Sequence, residues 1–194
     1  MMRLLLLAAM TASLAGCGGD RNTEPARTYD FGIAAGPDRP PITADIRPVE
    51  SPDWLDRPEM LYRLAYRNSN VLEPYGQSKW AGTPAALLTL KLKQSLGGGA
   101  DARTAPCVLT VYLEEFSQVF DSKDKSRSVL YARATLRESG PKRRSESMSL
   151  RLERPTATPD AAGGASAFAE LADEFARRVG DWAWASGYCS QPQT

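Results

Sequence analysis

The sequence contains 3 cysteines, Cys17, Cys107 and Cys189, and no histidine, and this limits the reactions that its side chains can catalyse. Without histidine, neither a Ser-His-Asp nor a Cys-His catalytic arrangement can form, and the commonest transition-metal ligand is missing. The adjacent carboxylates Glu114 and Glu115 are expected on opposite faces of a strand, because successive side chains alternate, so they do not form a catalytic pair. The sequence predicts no enzyme, no metal site and no cofactor.

Cys17 closes an N-terminal segment that has the features of a secretory signal peptide. Arg3 is followed by the short apolar run Leu4–Met10, and Leu14-Ala15-Gly16 stands directly before the cysteine. The apolar run is too short to span a bilayer. The Leu-Ala-Gly-Cys order resembles a bacterial lipobox, in which the cysteine sulfur receives a diacylglycerol and the chain is cut before it. The alternatives are a buried helix over residues 4–16, or an ordinary signal peptide whose cysteine is incidental.

Lipidation at Cys17 predicts a protein that is anchored in a membrane by its acyl chains and faces the periplasm, since two or more acyl chains anchor a protein stably. Gly18 occupies the position where an inner-membrane retention signal carries Asp, which favours the outer membrane. The predicted organisation is a signal peptide over residues 1–16, a lipidated flexible tether over 17–28, and one domain over 29–194.

The charge of the chain is close to neutral, with 24 Lys and Arg against 23 Asp and Glu. Loss of Arg3 with the signal peptide brings the two counts level. Nucleic-acid binding needs a clustered positive surface that replaces counterions, so this balance argues against a nucleic-acid partner.

Cys107 and Cys189 form a candidate disulfide. Export places both residues in an oxidising compartment, where a cysteine pair is more often bridged than free. Closing a loop of about 80 residues would stabilise the fold by about 4 kcal/mol in the chain-entropy treatment. The alternative is two unpaired thiols.

The N-terminal half of the chain predicts four strands and a helix. Apolar alternation places the strands at Tyr29–Ile33, Ile42–Val49, Met60–Arg67 and Val71–Tyr75, and the last two can form a hairpin across the Asn68-Ser69-Asn70 turn. Thr83 and Pro84 are typical of a helix start, and Gly97 of a helix end. The buried face of this helix is expected to hold Ala85, Ala86, Leu87 and Leu90.

The C-terminal half predicts an antiparallel meander followed by a long helix. Alternation places strands at 107–116, 129–137 and 145–153, with turns between them. A helix begins at Asp160 and carries an apolar stripe at helical spacing, from Phe168 to Trp182. The predicted fold class is α+β: a single domain with a mainly antiparallel sheet and two helices packed on one face.

Four segments resemble the ABC-type transport auxiliary lipoprotein component family, the PqiC-like lipoproteins. They are the lipobox at Cys17, residues 60–63 with 75–81 and the following helix, residues 113–121, and Asp160-Ala161-Ala162-Gly163-Gly164. The resemblance implies an auxiliary component of an ABC transporter that works with an MCE-domain protein. Such systems move phospholipids or other apolar molecules between the inner and outer membranes.

A tethered auxiliary protein needs a surface for its partner, and exposed aromatic and arginine side chains are the usual contact anchors. The candidates are Tyr62, Arg63, Tyr75, Gln77 and Trp80. The alternative for Tyr75 and Trp80 is that they pack under the hairpin. The competing function is a carrier that itself binds a lipid in an enclosed apolar cavity. The sequence leaves homo-oligomerisation open.

Overall fold

The computed structural model describes residues 25–33, 36, 40–97, 104–140, 144–187 and 189. The predicted signal peptide, Cys17 and residues 17–24 of the predicted tether lie outside these ranges. Arg27 and Thr28, which the sequence analysis assigns to the tether, pair with Ser78 and Lys79 in the sheet.

Seven strands and three helices make up the described part of the chain. The strands are β1 (Arg27–Tyr29), β2 (Ala44–Ile46), β3 (Glu59–Leu64), β4 (Glu73–Trp80), β5 (Cys107–Phe120), β6 (Ser126–Glu138) and β7 (Ser145–Pro155). The helices are α1 (Ala65–Asn68), α2 (Pro84–Leu96) and α3 (Ala161–Ala185).

The strands form one mixed, mostly antiparallel sheet in the order β1-β4-β3-β5-β6-β7, and β2 also pairs with β5. β2 lies parallel to the start of β5, with Ala44 opposite Cys107. β3 lies parallel to the end of β5, with Tyr62 opposite Gln118. The long strand β5 therefore carries two short strands in succession along one side. The predicted α+β class is confirmed, although the parallel pairings could not be inferred from alternation.

The meander β5-β6-β7 follows the prediction closely. Its core-facing residues are buried, namely Leu109, Val111, Leu113, Leu130, Ala132, Ala134, Leu136 and Leu152, and Met148 and Leu150 pack against the core while staying half-buried. A bulge interrupts the pairing of β5 with β6 between Leu113 and Glu115. Because one extra residue is inserted there, Leu113 and Phe116 both face the core, and Glu114 and Glu115 both stay on the outer side. The expectation that these two carboxylates lie on opposite faces is wrong.

The N-terminal strands differ from the prediction in their bounds. β1 ends at Tyr29 because Asp30 Oδ1 accepts a hydrogen bond from the Gly32 N–H at 2.8 Å, and Gly32 adopts a positive φ of 66°. β3 stops at Leu64, so Tyr66 lies in the one-turn helix α1. β4 begins at Glu73 and continues to Trp80, beyond the end of the predicted strand at Tyr75. The predicted antiparallel hairpin of β3 and β4 is present.

Helix α2 begins and ends where the sequence predicts, but it buries a different face. Thr83 Oγ1 caps the Ala86 N–H at 3.3 Å, and Gly97 ends the helix with a φ of 68°. The buried residues are Pro84, Ala85, Leu88, Lys91, Leu92 and Leu96, whereas Ala86 is exposed and Leu90 is 54% exposed. Apolar residues lie on several sides of this helix, so periodicity alone could not select the core-facing side.

Lys91 is buried in spite of its charge, with 2% exposure, because two oxygens receive its ammonium group. Its Nζ donates to the Phe31 carbonyl at 3.0 Å and to Asp173 Oδ1 at 2.8 Å. Asp173 belongs to α3, so this one side chain links the segment after β1 to both long helices. A buried amine needs such partners, since leaving it unpaired would be strongly unfavourable.

Helix α3 buries its predicted stripe against the sheet and α2. Phe168, Leu171, Ala172, Phe175 and Val179 are at most 1% exposed, while Trp182 is half-buried and Trp184 is 42% exposed. Within the described residues, no helix is long and apolar enough to cross a membrane.

Candidate functional site

Three of the four segments that carry the family resemblance meet around Gln118, on the core side of β5. The side chain of Gln118 is fully buried. Its Oε1 accepts a hydrogen bond from the Tyr75 hydroxyl at 2.9 Å, and its Nε2 donates to Ser126 Oγ at 2.8 Å and to the Asp160 carbonyl at 3.1 Å. Gln118 thereby joins β4, β6 and the start of α3. Sequence analysis did not single it out, because a polar residue near a strand end shows no one-dimensional sign of its partners.

Gly163 and Gly164 allow α3 to approach this network. A Cβ on Gly164 would lie 2.2 Å from Gln118 Oε1, and a Cβ on Gly163 would lie 2.2 Å from the Thr158 carbonyl oxygen. Ser128 Oγ also donates to the Gly164 carbonyl at 3.1 Å. The start of α3 therefore packs so closely against its neighbours that residues 163 and 164 have no room for a Cβ.

Asp160 is the N-cap of α3, so the helix begins where the sequence predicts. Its Oδ1 accepts from the Gly163 N–H at 2.8 Å and from the Thr158 hydroxyl at 2.8 Å. The backbone hydrogen bond from Gly163, with the Thr158 hydroxyl and the Ala162 N–H, stabilises the charged carboxylate and lowers the pKa of Asp160 below its ordinary value.

Tyr62 and Tyr75 come together beside this network, with ring centroids 4.7 Å apart. The Tyr62 hydroxyl donates to Glu73 Oε2 at 2.6 Å, and this hydrogen bond, with burial, raises the pKa of Tyr62. Burial, followed by the charge of Asp160, raises the pKa of Tyr75. Both hydroxyls therefore stay protonated at neutral pH and act as hydrogen-bond donors.

Arg63 lies on the other face of the sheet from Tyr62, because neighbouring residues of a strand alternate. Its Nη2 is 2.9 Å from Glu115 Oε2, and both side chains are about one-fifth to one-quarter exposed, at 21% and 24%. Glu114 Oε1 is 3.4 Å from Arg133 Nη2 on the same outer face. Gln77 is exposed on β4. The structure thus brings Tyr62 and Tyr75 together and separates Arg63 from them.

Trp80 has to be withdrawn as a contact residue, since it is 2% exposed. Its ring lies 5.4 Å from Phe31, 5.6 Å from Phe116 and 5.6 Å from Phe168, centroid to centroid. Trp80 instead packs under the hairpin, which is the alternative that the sequence left open. Burying an indole among three aromatic rings stabilises the core, and leaves no surface for a partner.

Tyr66 is a surface aromatic residue that the sequence analysis does not single out. It is 39% exposed on the one-turn helix α1, directly after β3. Apolar alternation places it in a continuous strand, which gives it no special position. Other exposed aromatic residues are Trp54, Tyr112 and Trp184.

Cys107 and Cys189 are joined by a disulfide, with Cα atoms 5.5 Å apart and a sequence separation of 82. Both cysteines are fully buried. The Thr43 N–H donates to the Cys189 carbonyl at 2.9 Å, so the bridge fixes the chain after α3 against β2 and β5.

A groove of about 680 Å³ lies between the end of α2, the C-terminal half of α3, and Gly36, Pro40 and Ile42. Its lining mixes both charges with apolar groups, and includes Arg154, Asp173, Glu174, Arg177, Ile42 and Trp184. Among the residues that the structure describes, no group of three or more Cys, Asp and Glu residues is placed to hold a metal ion.

The arrangement defines an α+β domain whose sequence motifs converge on a hydrogen-bonded helix start next to an aromatic pair. The family model of the ABC-type transport auxiliary lipoprotein component matches residues 32–180, and the chain belongs to this family.

Two solved structures share the fold. XCC0632 from Xanthomonas campestris, a DUF330 protein, is 18% identical, with a TM-score of 0.71 over 83% of this chain and 96% of that one. A second structure, of an uncharacterized protein, is 14% identical, with a TM-score of 0.65 over 82% of this chain and 99% of that one. No curated protein matches the sequence.

Proposed function

We propose that this protein is a lipid-anchored, non-enzymatic auxiliary component of an MCE/ABC-type transport system that moves lipids or other apolar molecules between membranes. The family match over residues 32–180 carries the proposal. The Leu14-Ala15-Gly16-Cys17 order supports an acylated Cys17, and Gly18 supports outer-membrane placement with the domain facing the periplasm.

The domain acts by docking on the MCE-domain protein. An anchor confines it within a tether length of the membrane, which raises its effective concentration for a partner that reaches across the periplasm. Tyr62 and Tyr75 supply an aromatic contact patch at the β3–β4 end of the sheet, and the exposed Tyr66 follows directly after β3 on α1. Gln77, exposed on β4, extends this patch, whereas Arg63 lies on the opposite face of the sheet beside Glu115 and would make a separate contact.

Tyr66 is the most direct side chain to test because it is 39% exposed and truncating it removes little core. We expect Tyr66→Ala to reduce recovery of the MCE-domain protein in a crosslinking pull-down from native membranes by about tenfold, the effect of roughly 1.4 kcal/mol at a contact anchor. Tyr112→Ala is the matched control, since Tyr112 is 43% exposed on β5. Equal recovery with both variants would remove the patch from the proposal.

The anchor is tested in the same experiment with Cys17→Ala. Recovery of the MCE-domain protein should fall when the anchor is lost, and intact-mass analysis should show acyl chains on the wild-type protein only. Lipids that co-purify are identified by mass spectrometry in parallel. A lipid bound in one-to-one ratio, without any protein partner, would contradict docking and favour the carrier function. What supports docking over carrying is the charged lining of the groove, since carriers enclose apolar cavities.

A further inference from the structure

The strand β7 ends the sheet on the side away from β1, and in the described parts of the chain it pairs only with β6. It is 11 residues long, and no proline interrupts it before Pro155. A long open edge is a template for another strand, and proteins either protect such an edge or use it.

The hydrogen bonds at both ends of β7 fix which of its backbone groups face outward. The Thr156 N–H donates to the Ser126 carbonyl at 3.0 Å, and the Glu138 N–H donates to the Arg144 carbonyl at 2.8 Å. The register of β6 and β7 runs without a shift between these points. In an antiparallel ladder alternate residues are the hydrogen-bonded ones, so the even-numbered residues of β7 bond to β6. Ser147, Ser149, Arg151 and Glu153 then present their N–H and C=O groups to the open edge.

We propose that this edge pairs with the β7 strand of a second copy, antiparallel and with the two-fold axis at Leu150. Leu150 then faces Leu150 of the second copy, and Met148 faces Leu152. Met148 and Leu150 are half-buried on the helix side of the sheet, so pairing removes more of their surface from water. The two copies form one continuous sheet with their helices on the same side.

Charge complementarity selects this register. With the axis at Leu150, Glu146 faces Arg154 of the second copy. Arg154 already contacts Glu170 at 2.9 Å and Glu174 at 3.1 Å, and its side chain is 37% exposed, so it can accept a further carboxylate. Moving the axis to Met148 or Leu152 sets Glu146 against Leu150, or Arg154 against Leu150, and loses the opposite-charge pair.

The outer side chains fit the same register. Ser149 faces Arg151 and Ser147 faces Glu153, so each long charged side chain lies opposite a small one. In this register the Arg151 side chains of the two copies are diagonal neighbours. Each is already paired within its own strand, because Arg151 Nε is 2.8 Å from Glu153 Oε1, and this pairing reduces the repulsion between them. Paired strands alone form a small interface. Anchoring of both copies in one membrane, which rests on the proposed function, supplies the effective concentration that such an interface needs.

Cysteine crosslinking in the cell envelope tests the pairing with the full chain. Facing residues of a non-hydrogen-bonded antiparallel pair have Cα atoms about 4.5 Å apart, within the range that a disulfide spans. Leu150→Cys should therefore run as a dimer on a non-reducing gel, with most of the protein crosslinked under mild oxidation. Ser149→Cys is the control: it is more exposed, but it faces Arg151 of the second copy and should stay monomeric.

A second variant addresses the backbone. Ser149→Pro, placed in the Leu150→Cys chain, removes an outward N–H while leaving the bonds to β6, and should lower the crosslinked fraction at least fivefold. Ser149→Ala in the same chain keeps the N–H and should leave it unchanged. If Ser149→Pro alters the thermal unfolding midpoint, Glu146→Lys is tested in its place. This exposed substitution sets a lysine opposite Arg154 of the second copy, and the two positive charges should lower the crosslinked fraction.

Three results would overturn the pairing. They are a monomeric Leu150→Cys protein, equal crosslinking of the Ser149→Cys and Leu150→Cys variants, and crosslinking of the Leu150→Cys variant to a different protein. The last would show that the edge receives a strand from another chain. Because the assay reads only self-association, a positive result stands even where the pull-down of an MCE-domain protein fails.

Discussion

The hydroxyl of Tyr75 donates to Oε1 of Gln118 across 2.9 Å, and this bond ties the β3–β4 hairpin to the centre of the sheet. The same oxygen lies 2.2 Å from where a Cβ on Gly164 would stand. One buried amide therefore sets both the position of the aromatic pair and the approach of α3. Polar groups buried in this way rigidify a site when all their partners are present.

Gly164→Ala should destabilise the domain, because the new methyl group collides with Gln118. Overpacking of this kind costs about 1–3 kcal/mol, and the helix propensity gained by replacing glycine offsets up to about 1 kcal/mol of it. Gly180→Ala, in the same helix, is the matched control. Its Cβ would meet Leu96 Cδ2, the end of a flexible side chain, at 2.5 Å. Chemical denaturation measures both, and similar stability for the two variants would refute the close-approach argument.

Gln118→Leu should cost about 1–3 kcal/mol, since it leaves the part-buried Tyr75 hydroxyl without its acceptor, whereas the Asp160 carbonyl keeps the Gly164 N–H at 3.0 Å. Tyr75→Phe should cost less, about 1 kcal/mol. The double variant gives the coupling between the two side chains, which we expect to exceed about 0.5 kcal/mol for groups in direct contact. Additive effects in the denaturation midpoints would mean that the 2.9 Å hydrogen bond contributes nothing measurable.

Asp160 should make the domain sensitive to acid. Its folded-state pKa lies below the ordinary value, so its charge stabilises the fold above about pH 4, and this contribution is lost as pH falls through the folded-state pKa. Asp160→Asn keeps a capping oxygen but should flatten the dependence of stability on pH in this range. Asp160→Ala also removes the cap, and should cost about 1 kcal/mol at neutral pH. Thermal unfolding midpoints of both variants, measured from acid to neutral pH, test these expectations. If Asp160→Asn loses stability in acid as much as the wild type does, the acid sensitivity belongs to other carboxylates.

Reduction should destabilise the protein through the Cys107–Cys189 bridge. A loop closed across 82 residues stabilises the fold by about 4 kcal/mol in the chain-entropy treatment. The measurement is the denaturation midpoint with and without dithiothreitol. A Cys107→Ala, Cys189→Ala double variant is the control, and should be insensitive to the reductant. Labelling of both thiols in the untreated, unfolded protein would show that the bridge is not formed.

Sequence patterns determined the features whose causes are local. The caps at Thr83 and Asp160, the end of α2 at Gly97 and the period-two core face of the meander follow from neighbouring residues, since capping and alternation act over a few positions. The class of fold followed from the order of these elements. The family resemblance rested on motif order along the chain, and the structure shows why three of those motifs belong together.

Tertiary contacts decided the rest, because they join residues far apart in sequence. Nothing near Lys91 indicates that Phe31 and Asp173 will receive its ammonium group, so the buried face of α2 could not be read from periodicity. The bulge at Glu114 reverses the alternation of β5 through its pairing with β6, and carries Gln118 into the core. Trp80 illustrates the same limit: an indole can serve a surface or a core, and only the surrounding aromatic rings determine which of the two it does.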